Sequence, residues 1–228
     1  MKTQLFDEWP EYYDRWFTSP IGKMVKEIES ELIYELLEPG SGEEIIDVGC
    51  GTGVFTHDLL IRGARVIGLD ISSQMLRYAV YRTAGYPFSR IQGDMLYLPF
   101  KDNSFDKSVS ITALEFIADA RTAVNELFRV TRPGGYVVVA TLNSLSLWAD
   151  RRNARTSQGQ KHILQNAIYR SPQEVTALSQ LKGVIKTTIH FEKDDSPDRA
   201  MQIEQSGKDK GLNTGAFVAV RWQKPPSI

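Results

Sequence analysis

The segment Asp47-Val48-Gly49-Cys50-Gly51-Thr52-Gly53 constrains this chain more than any other. It ends an apolar, β-branched run, Glu44-Ile45-Ile46-Asp47-Val48, and leads into a helical pattern, with three glycines at alternate positions in between. Glycine takes positive φ without steric cost, so the loop can turn tightly, admit a ligand and aim amide N–H groups outward. A strand-to-helix turn that binds nothing can carry the same glycines. The loop alone fixes a local structure, not a function.

The pattern continues along the chain. Short β-rich runs recur at residues 64–70, 89–94, 105–111 and 136–140, with helical patterns between them. Alternation of this kind builds a parallel sheet with crossover helices. The 136–140 run is continuously apolar, as in a strand covered on both faces. Ser72 or Ser73 is placed to N-cap the helix carrying Met75, Leu76 and Ala79, and Asp119 the helix carrying Ala123, Leu127 and Val130. The latter stops at Arg132-Pro133-Gly134-Gly135, where proline cannot continue a helix.

Ahead of the sheet, residues 22–37 read as an amphipathic helix with Val25, Ile28, Leu32 and Leu36 on one face, preceded by the aromatics Trp9, Tyr12, Tyr13, Trp16 and Phe17. Beyond it, residues 143–171 are polar and basic, Pro172 opens a short helix, and residues 184–191 and 216–222 read as strands. The charged, glycine-containing stretch 192–213 reads as a mobile loop, open to a role as a partner surface.

Composition removes several classes. The 228 residues suit one decorated α/β domain. With 27 Lys plus Arg against 28 Asp plus Glu there is no basic field to draw nucleic acid. Cys50 is the only cysteine, which excludes an intrachain disulfide framework and a thiolate metal cluster. The N-terminus lacks a secretory apolar core, and no run approaches the ~20 apolar residues of a membrane span, so the expected location is cytoplasmic.

Asp70 closes the second run, where such folds set a carboxylate against ribose hydroxyls. The loop is G-x-G-x-G with Val54 next, so its third glycine comes one residue early for the NAD fingerprint. The segment resembles motif I of class I S-adenosylmethionine-dependent methyltransferases. The rest of that pattern follows in order: Leu69-Asp70-Ile71-Ser72, Gly93-Asp94-Met95, Leu98-Pro99-Phe100 with Ser104-Phe105-Asp106, and Arg129 to Gly135. The set is similar to the type-11 group that includes ubiquinone and menaquinone biosynthesis methyltransferases, and it spans residues 44 to 141.

The resemblance implies a Rossmann-like, doubly wound α/β fold: a seven-stranded sheet, mostly parallel with an antiparallel last strand, helices on both faces. It implies residues 1–40 as a lid segment and helix, 41–228 as the methyltransferase domain, and 143–180 as a substrate-lid insertion. S-adenosylmethionine would be the cofactor and S-adenosylhomocysteine the product. Gly49, Gly51 and Gly53 would face its methionine and ribose, and Asp47 would help hold the amino group. Asp70 would take the ribose hydroxyls, Ile71 and Met75 would pack on the adenine, and Asp94 and the Met95 amide would meet its edge. Thr112, with Ala113, would line the methionine side. Tyr12 and Trp16, with Tyr13 as a third candidate, would close the site. Plain core packing explains Ile71 and Met75 equally well.

A sulfonium is already electrophilic, so alignment and exclusion of water are the main demands and a catalytic residue is optional. The candidate bases are His57, His162, His190 and Glu115; among the histidines His162 ranks first, because the insertion is expected above the mouth of the site, and Arg151, Arg152 and Arg155 could meet an acidic acceptor, though a solvated helix face explains them better. The turn Thr112-Ala113-Leu114-Glu115 differs from the Asn-Pro-Pro-Tyr type of amino-methylating enzymes of DNA and glutamine, Cys50 is tied up in the loop, and no metal-ligand cluster is evident. The reading is methyl transfer to a small molecule, with no nucleic acid partner and no metal. The alternatives are an S-adenosylmethionine-binding protein without turnover and an NAD-dependent oxidoreductase.

Overall fold

The computed structural model describes residues 4–157, 164 and 167–226. Two helices, α1 (Pro10–Thr18) and α2 (Pro20–Leu37), precede the sheet. Ser19 separates them: its extended backbone breaks the helix and its Oγ accepts from the Gly22 amide at 3.0 Å, capping α2. The core α/β units follow as β1 (Glu44–Val48), α3 (Val54–Ile61), β2 (Arg65–Asp70), α4 (Ser73–Arg82) and β3 (Phe88–Gln92). After them come β4 (Lys107–Ile111), a 3-10 turn (Leu114–Phe116), α5 (Ala120–Val130) and β5 (Tyr136–Leu142). The chain ends with α6 (Leu147–Ser157), α7 (Pro172–Thr176), β6 (Val184–Thr188), α8 (Pro197–Asp209) and β7 (Phe217–Gln223).

The seven strands lie in the order β3-β2-β1-β4-β5-β7-β6. All pairs from β3 to β5 are parallel, and β7 runs antiparallel to both β5 and β6. Inserting β7 between β5 and β6 gives β5 two neighbours, which is why Val137, Val138, Val139 and Ala140 are all fully buried. Two apolar layers sandwich the sheet. One carries Ile28, Leu32 and Leu36 of α2 with Phe55 and Leu59 of α3, and the other carries Val124 and Leu127 of α5 with Trp222 of β7. The chain leaves β1 for β2 and β3 on one side and returns to β4 and β5 on the other. A crevice therefore opens between the carboxyl ends of β1 and β4, where open α/β sheets hold ligands.

The caps behave as their chemistry requires. Ser72 Oγ accepts from Met75 N at 3.2 Å, Asp119 Oδ1 accepts from Thr122 N at 3.1 Å, and Ser171 with Glu174 forms a capping box ahead of α7. The stretch 192–213 departs from expectation: it is not a loop but contains α8. Ser196 and Pro197 start the helix, and Ala200, Glu204 and Gly207 recur on its buried face. Gly207 is required there because a Cβ would stand 2.4 Å from the His190 ring. With Glu204 on the buried face itself and charges on the other, this stripe shows no apolar periodicity in the sequence. No helix among the described residues is long and apolar enough to cross a membrane.

Candidate functional site: a cleft at the switch point of the sheet

The crevice contains a cavity of about 240 Å³. Its floor is Gly49 and Gly51 from the glycine loop, Leu69 to Ile71 at the end of β2, and Ile111 to Ala113 at the end of β4. Gly93, Asp94 and Met95, with Met75 of α4, close one side. The glycines serve different ends. Gly49 has φ +78°, and a Cβ on it would stand 2.3 Å from Ala113 Cβ, so β1 and β4 can approach only through a glycine. Gly51, at φ +54°, faces open space. Gly53 lies away from the cavity, where a Cβ on it would stand 3.2 Å from the Ala79 Cα.

The loop amides are not free to face a ligand, contrary to the sequence expectation. Gly49 N and Cys50 N both donate to Leu69 O, at 2.7 and 3.1 Å, and Gly51 N donates to Asp70 Oδ2 at 2.9 Å. The loop is thereby stitched to β2. Asp70 Oδ1 accepts from Ser72 N at 2.9 Å, and burial raises this carboxyl above its ordinary value even against those amide bonds. Asp94 Oδ1 accepts from Leu96 N at 2.9 Å, which fixes the turn after β3. Asp47 does not line the cavity. It is buried beneath the loop, accepts from Thr56 Oγ1 at 2.6 Å and ties β1 to α3; burial pushes it up to about 7.

The N-terminal arm makes the roof. Gln4, Leu5 and Phe6 lie over the cavity, with Phe6 edge-on to Phe116 of the 3-10 turn at 4.6 Å. Ser72 Oγ donates to Asp7 at 2.7 Å, and Asp14 accepts from Thr52 Oγ1 and from Arg82 Nη2, each at 2.6 Å. The arm is thus pinned to the glycine loop and to both ends of α4. Of the three candidate lid aromatics, Tyr13 reaches the cavity; Tyr12 and Trp16 do not. Tyr12 is 62% exposed beside Trp9, since one residue step on a helix turns a side chain by about 100°. Trp16 packs edge-on to Trp148 at 6.3 Å, with Lys193 over both rings.

Tyr13 stands beside Thr112 at the cavity wall. Thr112 has φ +48°, an unusual conformation for a β-branched residue and one that cores rarely tolerate without support. Glu115 follows at once; it is wholly buried, accepts from Leu142 N at 2.7 Å and is pushed up to about 7 by burial. The other candidate bases lie elsewhere. His57 stacks edge-on to Tyr86 and His190 faces α8, while His162 lies outside the described residues. Arg151 pairs with Glu192 and Asp194, and Arg152 donates to Ala167 O at 2.8 Å; the side chain of Arg155 lies outside what is described.

A family model described as a methyltransferase domain matches residues 46–139. The malonyl-[acyl-carrier protein] O-methyltransferase of Serratia marcescens is 31% identical over 187 residues, covering 72% of each chain. That of Yersinia pestis is 30% identical over 179 residues, 69% of this chain and 66% of its own. The chain belongs to the S-adenosylmethionine-dependent methyltransferases. Its cofactor is S-adenosylmethionine.

The fold of this methyltransferase is that of solved relatives. A Thermotoga maritima structure described as a SAM-dependent methyltransferase, possible histamine N-methyltransferase, superposes with TM-score 0.73 at 23% identity, covering 96% of this chain and 98% of that one. A Haloferax volcanii putative methyltransferase, solved with the Trm112 activator, gives TM-score 0.72 at 19% identity over the whole of both chains. In the methyltransferase cleft, sequence reasoning placed Gly49, Gly51, Asp70, Ile71, Met75, Asp94, Met95 and Thr112, all of which line the cavity. It missed Leu5, Phe6, Phe116 and Ile117. The one signal for them was an apolar pair just ahead of the aromatic arm.

Proposed function

We propose that the cleft holds S-adenosylmethionine with its adenosine against Asp70, Ile71 and Asp94 and its methionine end toward Gly49 and Thr112, and that the methyl passes to a small molecule. One observation carries this reading over a dinucleotide. The amides of Gly49, Cys50 and Gly51 are already bound to Leu69 O and Asp70, so the loop offers no nest for a pyrophosphate. What it does offer is an apolar slot lined by Leu69, Met75, Met95 and Ile111, with two carboxylates at its edge. A nucleoside thioether or sulfonium without phosphates fits that chemistry.

When bound, the cofactor supplies a methyl on an electrophilic sulfonium. The chain's own residues then orient and enclose. Asp70, preorganised by the Gly51 and Ser72 amides, is set to accept ribose hydroxyls without rearranging. Phe6, Phe116 and Ile117 exclude water, and alignment of this kind supplies roughly 7–11 kcal/mol of a bimolecular barrier. The segment after β5 takes part in the acceptor side: Ile168 N donates to Glu115 O, and Arg170 donates to Leu114 O and Ile117 O, so it braces the turn that walls the cavity.

The test is calorimetric titration with S-adenosylhomocysteine of the wild type and of Asp70→Ala. The variant, folded by circular dichroism, should lose about 2–4 kcal/mol of binding, roughly 30- to 1,000-fold, for two hydrogen bonds to a charged acceptor. Equal affinities would remove Asp70 from the ribose and the cofactor from this pose.

A further inference from the structure

A second cavity, of about 320 Å³, opens at the other end of the sheet, between α8 and the turn that leads into β7. It shares no residue with the cofactor cleft. His190, the second residue after β6, stands in its wall. Both ring nitrogens of His190 are shielded from solvent and have no hydrogen-bond partner among the described residues. The fold nonetheless fixes this residue at a cost. Ile189, buried and β-branched, holds φ +65° just ahead of it. The buried Glu204 of α8 accepts from His190 N at 2.8 Å, and Gly207 makes room for the ring, since a Cβ there would stand 2.4 Å from it. Among the described residues, the other β-branched residue with positive φ is Thr112, in the cofactor cleft. Strained backbone of this kind gathers where ligands are held, and shielded nitrogens without a partner mark a missing group.

The rest of the wall says what that group carries. Lys210, Ser206 and Thr214 bring an ammonium and two hydroxyls to the cavity, and no carboxylate lines it. Glu204 is taken by Thr188, His190 N and Lys208, and Asp209 accepts from Gln205. Lys210 is exposed and forms no ion pair among the described residues. Ile203 and Leu212 add apolar surface. The volume far exceeds the share of one water, about 30 Å³, so an inorganic ion alone would leave most of it unfilled. We propose that this cavity is a second ligand site, for a small molecule carrying an oxyanion, carboxylate or phosphate ester, on an apolar body. The oxyanion accepts from Lys210, Ser206 and the imidazole of His190, and the body lies against Ile203 and Leu212. The site stands apart from the cofactor cleft and does not depend on what that cleft binds.

Proton–nitrogen NMR spectra of the full chain, titrated with phenyl phosphate, with benzoate and with benzylamine as a cation of similar size, test the site. Both anions should saturably shift amides within residues 202–214, and benzylamine should not. The tighter of the two anions names the source, ester or acid. His190→Phe keeps a ring against Gly207 and removes nitrogens that nothing pairs. It should therefore leave the thermal midpoint unchanged or higher, yet weaken the anions by about tenfold or more. Lys210→Ala, at an exposed position, should leave stability unaltered and weaken them by about threefold to fivefold. Failure of both anions to bind, equal binding of benzylamine, shifts confined to residues around Gly49 and Asp70, or wild-type affinity in both variants would each overturn the proposal. So would a large fall in midpoint for His190→Phe, which would mean that the imidazole nitrogens hold the fold.

Discussion

Gly49 and Gly51 share a left-handed backbone but differ in what a methyl group would meet. At Gly49 the methyl would collide with Ala113 Cβ and force β1 from β4; at Gly51 it would project into the cavity. Gly49→Ala is expected to cost about 2–4 kcal/mol of stability, combining left-handed strain with overpacking. Gly51→Ala should cost only about 1–2 kcal/mol, yet lose most S-adenosylhomocysteine binding. Urea denaturation beside ligand titration distinguishes them, and equal behaviour of the two would refute this assignment. Asp47 shows the limit of reading single residues. Its place before the first glycine is visible in the sequence, but whether the side chain points to ligand or to Thr56 depends on the strand's pleat and the helix above.

At the scale of elements, the arm formed by residues 4–9 and α1 is held by polar contacts as well as by the packing of Tyr13, Trp16 and Phe17 on the core. Asp14 joins it to the buried Thr52 of the glycine loop and to Arg82 of α4, and the pair with Arg82 is partly exposed. Asp14→Ala should lower global stability by only about 1–2 kcal/mol, since partly exposed pairs are screened by solvent. It should raise the dissociation rate of S-adenosylhomocysteine, measurable by stopped flow, if the arm is the cover proposed here; an unchanged rate would make α1 a mere brace. The arm's aromatics were visible in the sequence, but the inward one was not. Tyr12 and Tyr13 are adjacent, and only the helix phase against α2 selects Tyr13. Likewise α8 was hidden because a helix whose buried stripe is Ala200, Glu204 and Gly207 carries almost no hydrophobic signal.

Across the whole molecule, buried acids should govern the response to pH. Burial raises Glu29 to about 8 and Asp47 and Glu115 to about 7. A carboxyl raised in the folded state keeps its proton where the unfolded chain has lost it. Its stabilising effect is complete below the unfolded value of about 4 and is lost as pH rises through the folded value. Asp106 and Glu126, lowered chiefly by hydrogen bonds and Arg pairing that outweigh burial, act oppositely and lose their contribution in acid. Stability should therefore peak in the mildly acidic range and fall toward pH 8 by about 1.4 kcal/mol per pH unit for each titrating proton. Glu29→Gln should flatten the decline between about pH 7 and pH 8; an unaltered slope in urea titrations would exclude Glu29 as its source. The parallel sheet, its switch point and most of the cleft floor were legible because strand-end residues sit at fixed offsets from the glycines. The roof and the buried acids were not, because they come from α1 and α2, whose docking no local pattern records.

With its glycine-loop amides bound to Leu69 O and Asp70, the cleft suits a nucleoside without phosphates. Calorimetric titration of the purified wild type with S-adenosylhomocysteine and, separately, with NAD tests it most directly. Saturable one-to-one binding of S-adenosylhomocysteine, and none of NAD at the same concentrations, is the expected result. Binding of NAD alone would contradict it, since the glycine-loop amides would then have to leave Leu69 O and Asp70 to hold a pyrophosphate.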